Sequence, residues 1–336
     1  MDWVQIFENT LKGFIGINAV YFAIAAIGLN VQFGYTGLLN FGQAGFMACG
    51  AYGLGMTAHY FDWSFWWGIP LAFVFSMALG ALMGIPTLRL RADYLAIVTI
   101  ASAEIIRLVV RSVRFKTYFG GSDGINSFSQ TFRDVGADLG IDQTAKYGFR
   151  PFQFTGRELW TLVIGWILVA LLAFVVFRLM KSPWGRVLKA IREDEDAVRS
   201  LGKSVFSYKM QSLLLGGAIG TVSGMVFALD RGSVQPDNYS RDLTFYILTA
   251  LVLGGVARVT GSILGPMLFW GLFTFMDNFL REISEDPINI GNFTILKSTQ
   301  VGQLNFMLVG LTLILLMVYR PQGLVGNRQE MAFDGR

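Results

Sequence analysis

Long stretches without Asp, Glu, Lys or Arg alternate with short charged segments along this chain, and the two longest cover 13–61 and 63–88. A helix needs about 20 predominantly apolar residues to cross a lipid bilayer, and several of these stretches reach or approach that length. The pattern predicts nine membrane-spanning helices, at approximately 13–33, 38–60, 65–87, 92–112, 158–180, 206–229, 243–258, 262–281 and 300–319. We therefore expect an all-α, polytopic membrane protein that forms a single transmembrane domain over 1–336.

Basic residues predict which ends of the spans face the cytoplasm, because cytoplasmic loops are enriched in Lys and Arg. In the nine-span arrangement, three basic clusters fall on one side: the turn at 88–93, the segment 181–205 and the tail 320–336. The long loop 115–157 then lies outside the cytoplasm, as either a docking surface or a solvated connector, and the N-terminus lies outside too. A broken or re-entrant helix near 34–45 would change the count, so eight or ten spans remain open alternatives.

The composition agrees with a membrane location. Hydrophobic residues make up 53% of the chain, charged residues only 15%, and the mean hydropathy is +0.51. The net charge of +4 does not indicate a nucleic-acid partner, because the excess basic residues lie beside predicted helix ends. Orientation and anionic lipid head groups account for basic residues in that position. The expected surroundings are a lipid bilayer and no nucleic acid.

No arrangement of residues indicates an enzyme. The chain contains no G-x-x-x-x-G-K-[ST] loop for ATP, no H-E-x-x-H zinc motif and no G-x-S-x-G nucleophile motif. Cys49 and His59 are the only residues of their types, so they offer neither a disulfide nor a cysteine and histidine metal cluster. We expect no catalytic residue, no metal and no cofactor bound by this chain.

Polar residues within the predicted spans are candidates for a transport pathway. Asn30, Asn40 and Gln43 are neutral amides, and Glu104 and Arg107 lie three residues apart on the fourth span. A charge inside a bilayer is costly, so Glu104 is expected to pair with Arg107; a structural lock near the outer interface is favoured over a substrate role. A pathway of amides and apolar walls suits a zwitterionic or neutral solute better than tight ion coupling, which usually needs buried carboxylates.

Glycine is abundant, with 39 residues, and several lie between 34 and 55 at spacings of about three to five. Small residues at this spacing let membrane helices approach closely, which is the favoured interpretation. The alternative is that some of these glycines unwind a helix at a substrate site.

A charged segment in the middle of the chain, 186–202, predicts a single amphipathic helix on the cytoplasmic side. Arg192 and the acidic run that follows it, 193–196, are expected to be exposed, and Gly202 is placed to end the helix in a left-handed conformation. Such a helix can dock in a groove of a cytoplasmic partner; the alternative is a linker that rests on the membrane. The predicted apolar face consists of Val187, Leu188, Ile191, Val198 and Leu201.

The stretch 195–202, EDAVRSLG, resembles the E-A-A-x-x-x-x-G coupling motif of ABC importer permeases, with Asp196 in place of the first alanine. Longer matches point to one family within that class: GYTGLLNFGQAGF at 34–46, TLRLRADYLAIVT at 87–99, SPWGRVLKAIRE at 182–193 and RPQGL at 320–324. Together they resemble the membrane subunit of branched-chain amino acid ABC importers. In that family histidine is common where Gln43 stands and serine where Asn40 stands.

This resemblance implies an ABC importer permease fold and a multi-pass location in the bacterial cytoplasmic (inner) membrane. It implies a second homologous permease, two cytoplasmic ATPases that bind ATP and Mg²⁺, and an extracytoplasmic solute-binding protein. The implied solute is a branched-chain or related hydrophobic amino acid. Urea or a short amide is an alternative, as is a different class, an ion-coupled secondary transporter. The residues expected to couple the permease to its ATPases are Arg192, Glu193, Glu195, Ala197, Leu201 and Gly202.

Overall fold

The computed structural model describes residues 3–59, 64–88, 92–148, 152–285, 289–290, 293–294, 301–319 and 323–326. Its helices are α1 (Trp3–Ile15), α2 (Ile17–Leu29), α3 (Gln43–His59), α4 (Gly68–Thr87), α5 (Ala92–Arg111), α6 (Lys116–Phe119), α7 (Gln130–Asp138), α8 (Gly156–Lys181), α9 (Pro183–Glu193), α10 (Glu195–Ser200), α11 (Val205–Arg231), α12 (Arg241–Gly254), α13 (Val259–Glu285) and α14 (Val301–Tyr319). Three short antiparallel pairs accompany them: β1 (Ile125–Asn126) with β4 (Ser233–Val234), β2 (Lys146–Tyr147) with β3 (Phe154–Thr155), and β5 (Asn289–Ile290) with β6 (Phe293–Thr294).

The long helices form a bundle with two distinct ends. We call the end that carries α9 and α10 the coupling end, and the opposite end, which carries α6, α7 and the β pairs, the loop end. Within the described residues, nine helical passes join these ends: α2, α3, α4, α5, α8, α11, α12, α13 and α14. The order of passes agrees with the predicted arrangement, with 115–157 at the loop end and 181–205 at the coupling end. Arg89, Arg91 and most of the tail 320–336 lie outside the described residues, so which end faces the cytoplasm stays a prediction.

Apolar length alone identifies only part of this bundle. Five stretches of the described chain are long and apolar enough to cross a membrane by themselves: Trp3–Tyr35, Phe65–Thr87, Gly156–Lys181, Val205–Arg231 and Val259–Glu282. The helices α3 and α12 are shorter, with 17 and 14 residues, and lie among other helices. The chain is thus an all-α, polytopic membrane protein, as predicted.

The first pass ends in a break in regular helix. After α2 the chain forms a π-helix, Asn30–Tyr35, and then a non-helical connection that leads into α3. Gly37 has a φ of +73°, a conformation that residues with a Cβ rarely adopt. We call residues 30–42 the helix break. The chain thus leaves regular helix in part of the glycine-rich region, while the glycines of α3 pack, and the number of passes is unchanged. A substrate site at this break stays a prediction.

Glycines hold α3 and α11 in close contact. A Cβ added to Gly224 would lie 1.9 Å from the carbonyl oxygen of Met47, and one added to Gly50 would lie 2.1 Å from that of Thr221. Because membrane helices associate through close packing, these positions bring the two backbones together. The predicted packing role of these glycines is confirmed.

We expect Gly224→Ala to destabilise the bundle by about 1–3 kcal/mol, because the new methyl group would collide with backbone that cannot move aside. Gly302→Ala is the matched control, since a Cβ there meets nothing within 4 Å. The measurement is thermal unfolding of the purified proteins in one detergent. Equal melting temperatures for the Gly224 variant and the wild type would contradict the packing account.

The predicted loop 115–157 folds into a cap on the loop end. Ile125 and Val234 pair between β1 and β4, and both side chains are fully buried. The indole nitrogen of Trp160, in α8, donates to the carbonyl oxygen of Phe132 at 3.0 Å. Lys116 forms a hydrogen bond and an ion pair with Asp123, which lowers the pKa of that exposed carboxyl. The cap thus fastens α8 and the α11–α12 connection to one another.

Candidate functional site

The segment 182–204 forms a helical hairpin, α9 and α10, at the coupling end. Ser182 caps the first helix with its hydroxyl, and Pro183 occupies the first turn, where a missing backbone N–H does no harm. One apolar face holds the hairpin on the bundle, because Leu188, Ile191 and Val198 are almost completely buried. We refer to residues 182–204 as the coupling hairpin.

Two details of the predicted helix are wrong. The chain leaves the helical conformation at Asp194, with φ −151° and ψ 103°, so that 186–202 contains two helices rather than one. The Asp194 carboxylate accepts a hydrogen bond from the backbone N–H of Ala197 at 2.9 Å and so starts α10. Leu201 was placed on the buried face, but it is 78% exposed because it lies in the turn after α10. The left-handed end at Gly202 is confirmed, with a φ of +75°.

Arg192 joins the coupling hairpin to the helix break. Its Nη1 donates a hydrogen bond to the carbonyl oxygen of Gly34, which lies in the π-helix. Its stem passes directly over Gly37, where an added Cβ would lie 3.2 Å from the Arg192 Cγ. One turn earlier, the Lys189 ammonium lies 5.6 Å from the centre of the Tyr35 ring. The sequence predicted Arg192 to be exposed with the acidic run, yet it is half-buried and holds two elements together.

Glu195 is a second anchor of the hairpin. Its carboxylate pairs with Lys209 of α11 and, at 2.9 Å, with Arg199. Lys209 is mostly buried, so this contact ties the beginning of α10 to a long helix of the bundle. Thr36, Arg192, Glu195 and Lys209 line one cavity of about 250 Å³ between the hairpin and the bundle.

The remaining predicted coupling residues form an exposed tip. Glu193, Ala197 and Gly202 are exposed, as is Leu201, and they lie on the side of the hairpin that faces away from the bundle. The hairpin thus has inner residues that bind the bundle and outer residues that are accessible to a partner.

Amide side chains close the interior beside the helix break. The Asn40 Nδ2 donates to the Gln32 Oε1 at 2.7 Å, and the Asn40 Oδ1 accepts from the backbone N–H of Gly42 at 2.8 Å. The Gln43 Nε2 donates to the carbonyl oxygen of Gly216 in α11 at 3.2 Å. All three amide side chains are almost completely buried. We call Gln32, Asn40 and Gln43 the amide cluster; Gln32 was not among the predicted site residues.

Asn30 has a different set of partners. Its Nδ2 donates to the carbonyl oxygen of Arg258 at 3.0 Å, and its Oδ1 accepts from the backbone N–H of Ala257 at 2.9 Å. Asn30 therefore fixes the turn between α12 and α13. Because Asn30, Asn40 and Gln43 are buried and bonded to their own chain in this conformation, their role in a solute pathway stays a prediction.

The predicted pair of Glu104 and Arg107 is present near the loop end. The Arg107 Nη2 lies 2.6 Å from a Glu104 carboxylate oxygen, and its Nη1 lies 2.6 Å from Asp237. Arg111 also reaches Asp237, at 3.1 Å. Asp237 belongs to a short 3-10 helix, Pro236–Tyr239, so the cluster locks α5 to the connection between α11 and α12. This geometry agrees with the structural role that the spacing favoured over a substrate role.

The bundle has amides in its interior and an exposed helical hairpin at one end, as expected for a membrane permease. Residues 14–319 match the model of the family described as branched-chain amino acid transport system, permease component. The chain belongs to this family, and the resemblance stated from its motifs is confirmed.

Named relatives cover most of the chain. It is 32% identical over 317 residues to the high-affinity branched-chain amino acid transport system permease protein LivM of Salmonella typhimurium. The aligned residues cover 93% of this chain and 69% of that protein. The protein of the same name from Escherichia coli is 32% identical over 310 residues, covering 90% and 67%. A probable branched-chain amino acid transport permease protein LivM of Methanocaldococcus jannaschii is 25% identical over 343 residues, covering 91% and 90%.

Proposed function

We propose that this chain is a permease subunit of an ATP-driven importer that carries branched-chain or related hydrophobic amino acids across the bacterial cytoplasmic membrane. Family membership and the names of its relatives support this proposal. The assembly contains a second homologous permease, two cytoplasmic ATPases that bind ATP and Mg²⁺, and an extracytoplasmic solute-binding protein. The single observation that carries the proposal is the connection from the exposed tip of the coupling hairpin, through Arg192, to the helix break.

The contacts suggest how movement of the ATPases reaches the interior. The ATPases bind the exposed tip around Ala197 and Leu201 and displace α10. Glu195 passes this displacement to α11 through Lys209, while Arg192 passes it to Gly34. The amide cluster bridges those two elements, because Gln32 also donates to the carbonyl oxygen of Leu213 at 2.9 Å. Relative movement of α11 and the helix break therefore exchanges these hydrogen bonds and opens the interior to the solute.

A transport assay in liposomes tests the proposal. The permease is reconstituted with its companion permease and ATPases, and uptake of radioactive leucine is measured with saturated binding protein and ATP. We expect uptake that stops when the P-loop lysine of the ATPases is replaced by alanine. Uptake driven by an ion gradient in that mutant complex would contradict the proposal and favour a secondary transporter. Competition by urea but not by isoleucine would contradict the assigned solute class.

A further inference from the structure

A second polar region lies at the loop end, far from the coupling hairpin and the amide cluster. A cavity of about 400 Å³ opens there between α1, α2, α8, α11 and α13. This volume falls within the range of about 300–1,000 Å³ that is usual for small-molecule sites. Lys12, Glu158, Asp230 and Trp270 line it together with apolar side chains that include Ile17 and Leu162.

The two acidic side chains of the cavity differ in their hydrogen-bond partners. Glu158 accepts a hydrogen bond from the backbone N–H of Thr155 at 3.0 Å and completes the cap at the start of α8. Asp230 is half-buried, and the guanidinium groups of Arg157, Arg231 and Arg133 lie near enough to interact with it electrostatically. Within the described part of the chain, none of them forms a hydrogen bond with its carboxylate or an ion pair closer than 4 Å. A carboxylate at the edge of a membrane bundle normally has a partner or a function. Asp230 is therefore the acid that remains available to a cation.

Two hydrogen-bond donors in the same cavity are also available. The Lys12 ammonium has no ion-pair or hydrogen-bond partner among the residues that the structure describes. The indole N–H of Trp270 is buried and lacks an acceptor, although buried donors are almost always satisfied. Both groups suit an anionic oxygen, so the cavity combines one free acid with two free donors.

We propose that this cavity binds a free aliphatic amino acid in its zwitterionic form, an assignment that rests on the proposed function. The α-ammonium group pairs with Asp230. The α-carboxylate accepts hydrogen bonds from Lys12 and from the indole N–H of Trp270. The aliphatic side chain packs against Ile17 and Leu162. The cavity is thus a first binding site at the loop end, which a solute reaches before the amide cluster.

The test measures binding to the full-length chain in phosphatidylcholine nanodiscs, by scintillation proximity with radioactive leucine. We expect Asp230→Asn and Lys12→Gln each to weaken binding roughly tenfold, as loss of a charge-assisted contact does. Trp270→Phe should weaken it less, because only one neutral donor is lost. Asp138→Asn and Lys146→Gln are matched controls, since both residues are exposed at the loop end and do not line the cavity. Unchanged leucine binding by the Asp230 and Lys12 variants would overturn the assignment.

Two comparisons distinguish the ligand. Excess 4-methylpentanoate, which lacks the ammonium group, and isoamylamine, which lacks the carboxylate, should each fail to displace leucine. Displacement by either compound alone would contradict recognition of a zwitterion. Phosphatidylethanolamine carries a primary ammonium and an anionic phosphate, which is the same chemistry, whereas the quaternary ammonium of phosphatidylcholine has no N–H to donate. The assay is therefore repeated in phosphatidylethanolamine. Loss of leucine binding in that lipid would assign the site to lipid and overturn the proposal.

The outcome can be separated from that of the proposed function. If the wild-type chain fails to bind leucine while the complete complex carries out ATP-dependent leucine uptake, this inference is wrong and the proposed function stands. If the complex transports leucine without working ATPases, the proposed function is wrong whatever the cavity binds.

Discussion

Leu201→Glu should abolish ATP-driven uptake while leaving the permease folded. Leu201 is 78% exposed in the turn after α10, so the substitution costs the isolated chain little. In the assembly we place this side chain against an ATPase, where a buried, unpaired carboxylate is strongly unfavourable. We expect the ATPases to copurify with the variant roughly tenfold less efficiently than with the wild type. Copurification and uptake are both measured on the reconstituted complex.

Leu139→Glu is the matched control for this experiment. Leu139 is 68% exposed and lies at the loop end, away from the proposed ATPase docking surface. Its replacement by Glu adds the same charge to a similarly exposed position. ATPase copurification should be normal for this control. If the Leu201 variant also bound its ATPases and transported leucine normally, the exposed tip of the hairpin would not be the docking surface.

Arg192→Ala should separate ATP hydrolysis from transport. Arg192 does not belong to the exposed tip; it contacts Gly34 of the π-helix. Removal of the guanidinium breaks the hydrogen bond to Gly34 and leaves the exposed tip unchanged, so the ATPases should still bind and hydrolyse ATP. We expect uptake to fall roughly tenfold, the effect of losing about 1.4 kcal/mol of coupling free energy. The measurement is the ratio of leucine transported to ATP hydrolysed.

Arg186→Ala provides the control on the same helix. Arg186 is exposed, and its side chain makes no hydrogen bond or ion pair within the portion of the chain that the structure describes. Its variant should keep the wild-type ratio. A normal ratio for the Arg192 variant would show that coupling takes another route, such as the contact between Glu195 and Lys209. Loss of ATPase binding would instead place Arg192 in the docking surface.

The extent of the spans was predictable because charge marks their ends. The span predicted at 158–180 is the helix Gly156–Lys181, whose apolar run lies between Glu158 and Arg178. The hairpin was harder, because its apolar spacing continues across Asp194 and gives no sign of a break. The available signal was Asp194 itself, since aspartate is among the preferred residues for starting a helix.

The partners of the candidate site residues were not predictable. Spacing along one helix correctly paired Glu104 with Arg107, but Asp237 is 130 residues away from Arg107 in the chain. The contact of Arg192 with Gly34 spans 158 residues and depends on how α9 packs against the first pass. Such pairs follow from tertiary packing, which one sequence without its homologues does not reveal. The sequence therefore indicated which residues belong to the candidate site, but it did not indicate which distant residues they contact.

The chemical nature of the amide cluster has a consequence for the energy supply of the cell. Gln32, Asn40 and Gln43 seal the region beside the helix break through side chains that neither gain nor lose a proton at physiological pH. Carboxylates or histidines at these positions could form part of a proton relay through the closed protein. A resting importer sealed by amides can be abundant in an energised membrane without dissipating the electrochemical gradient.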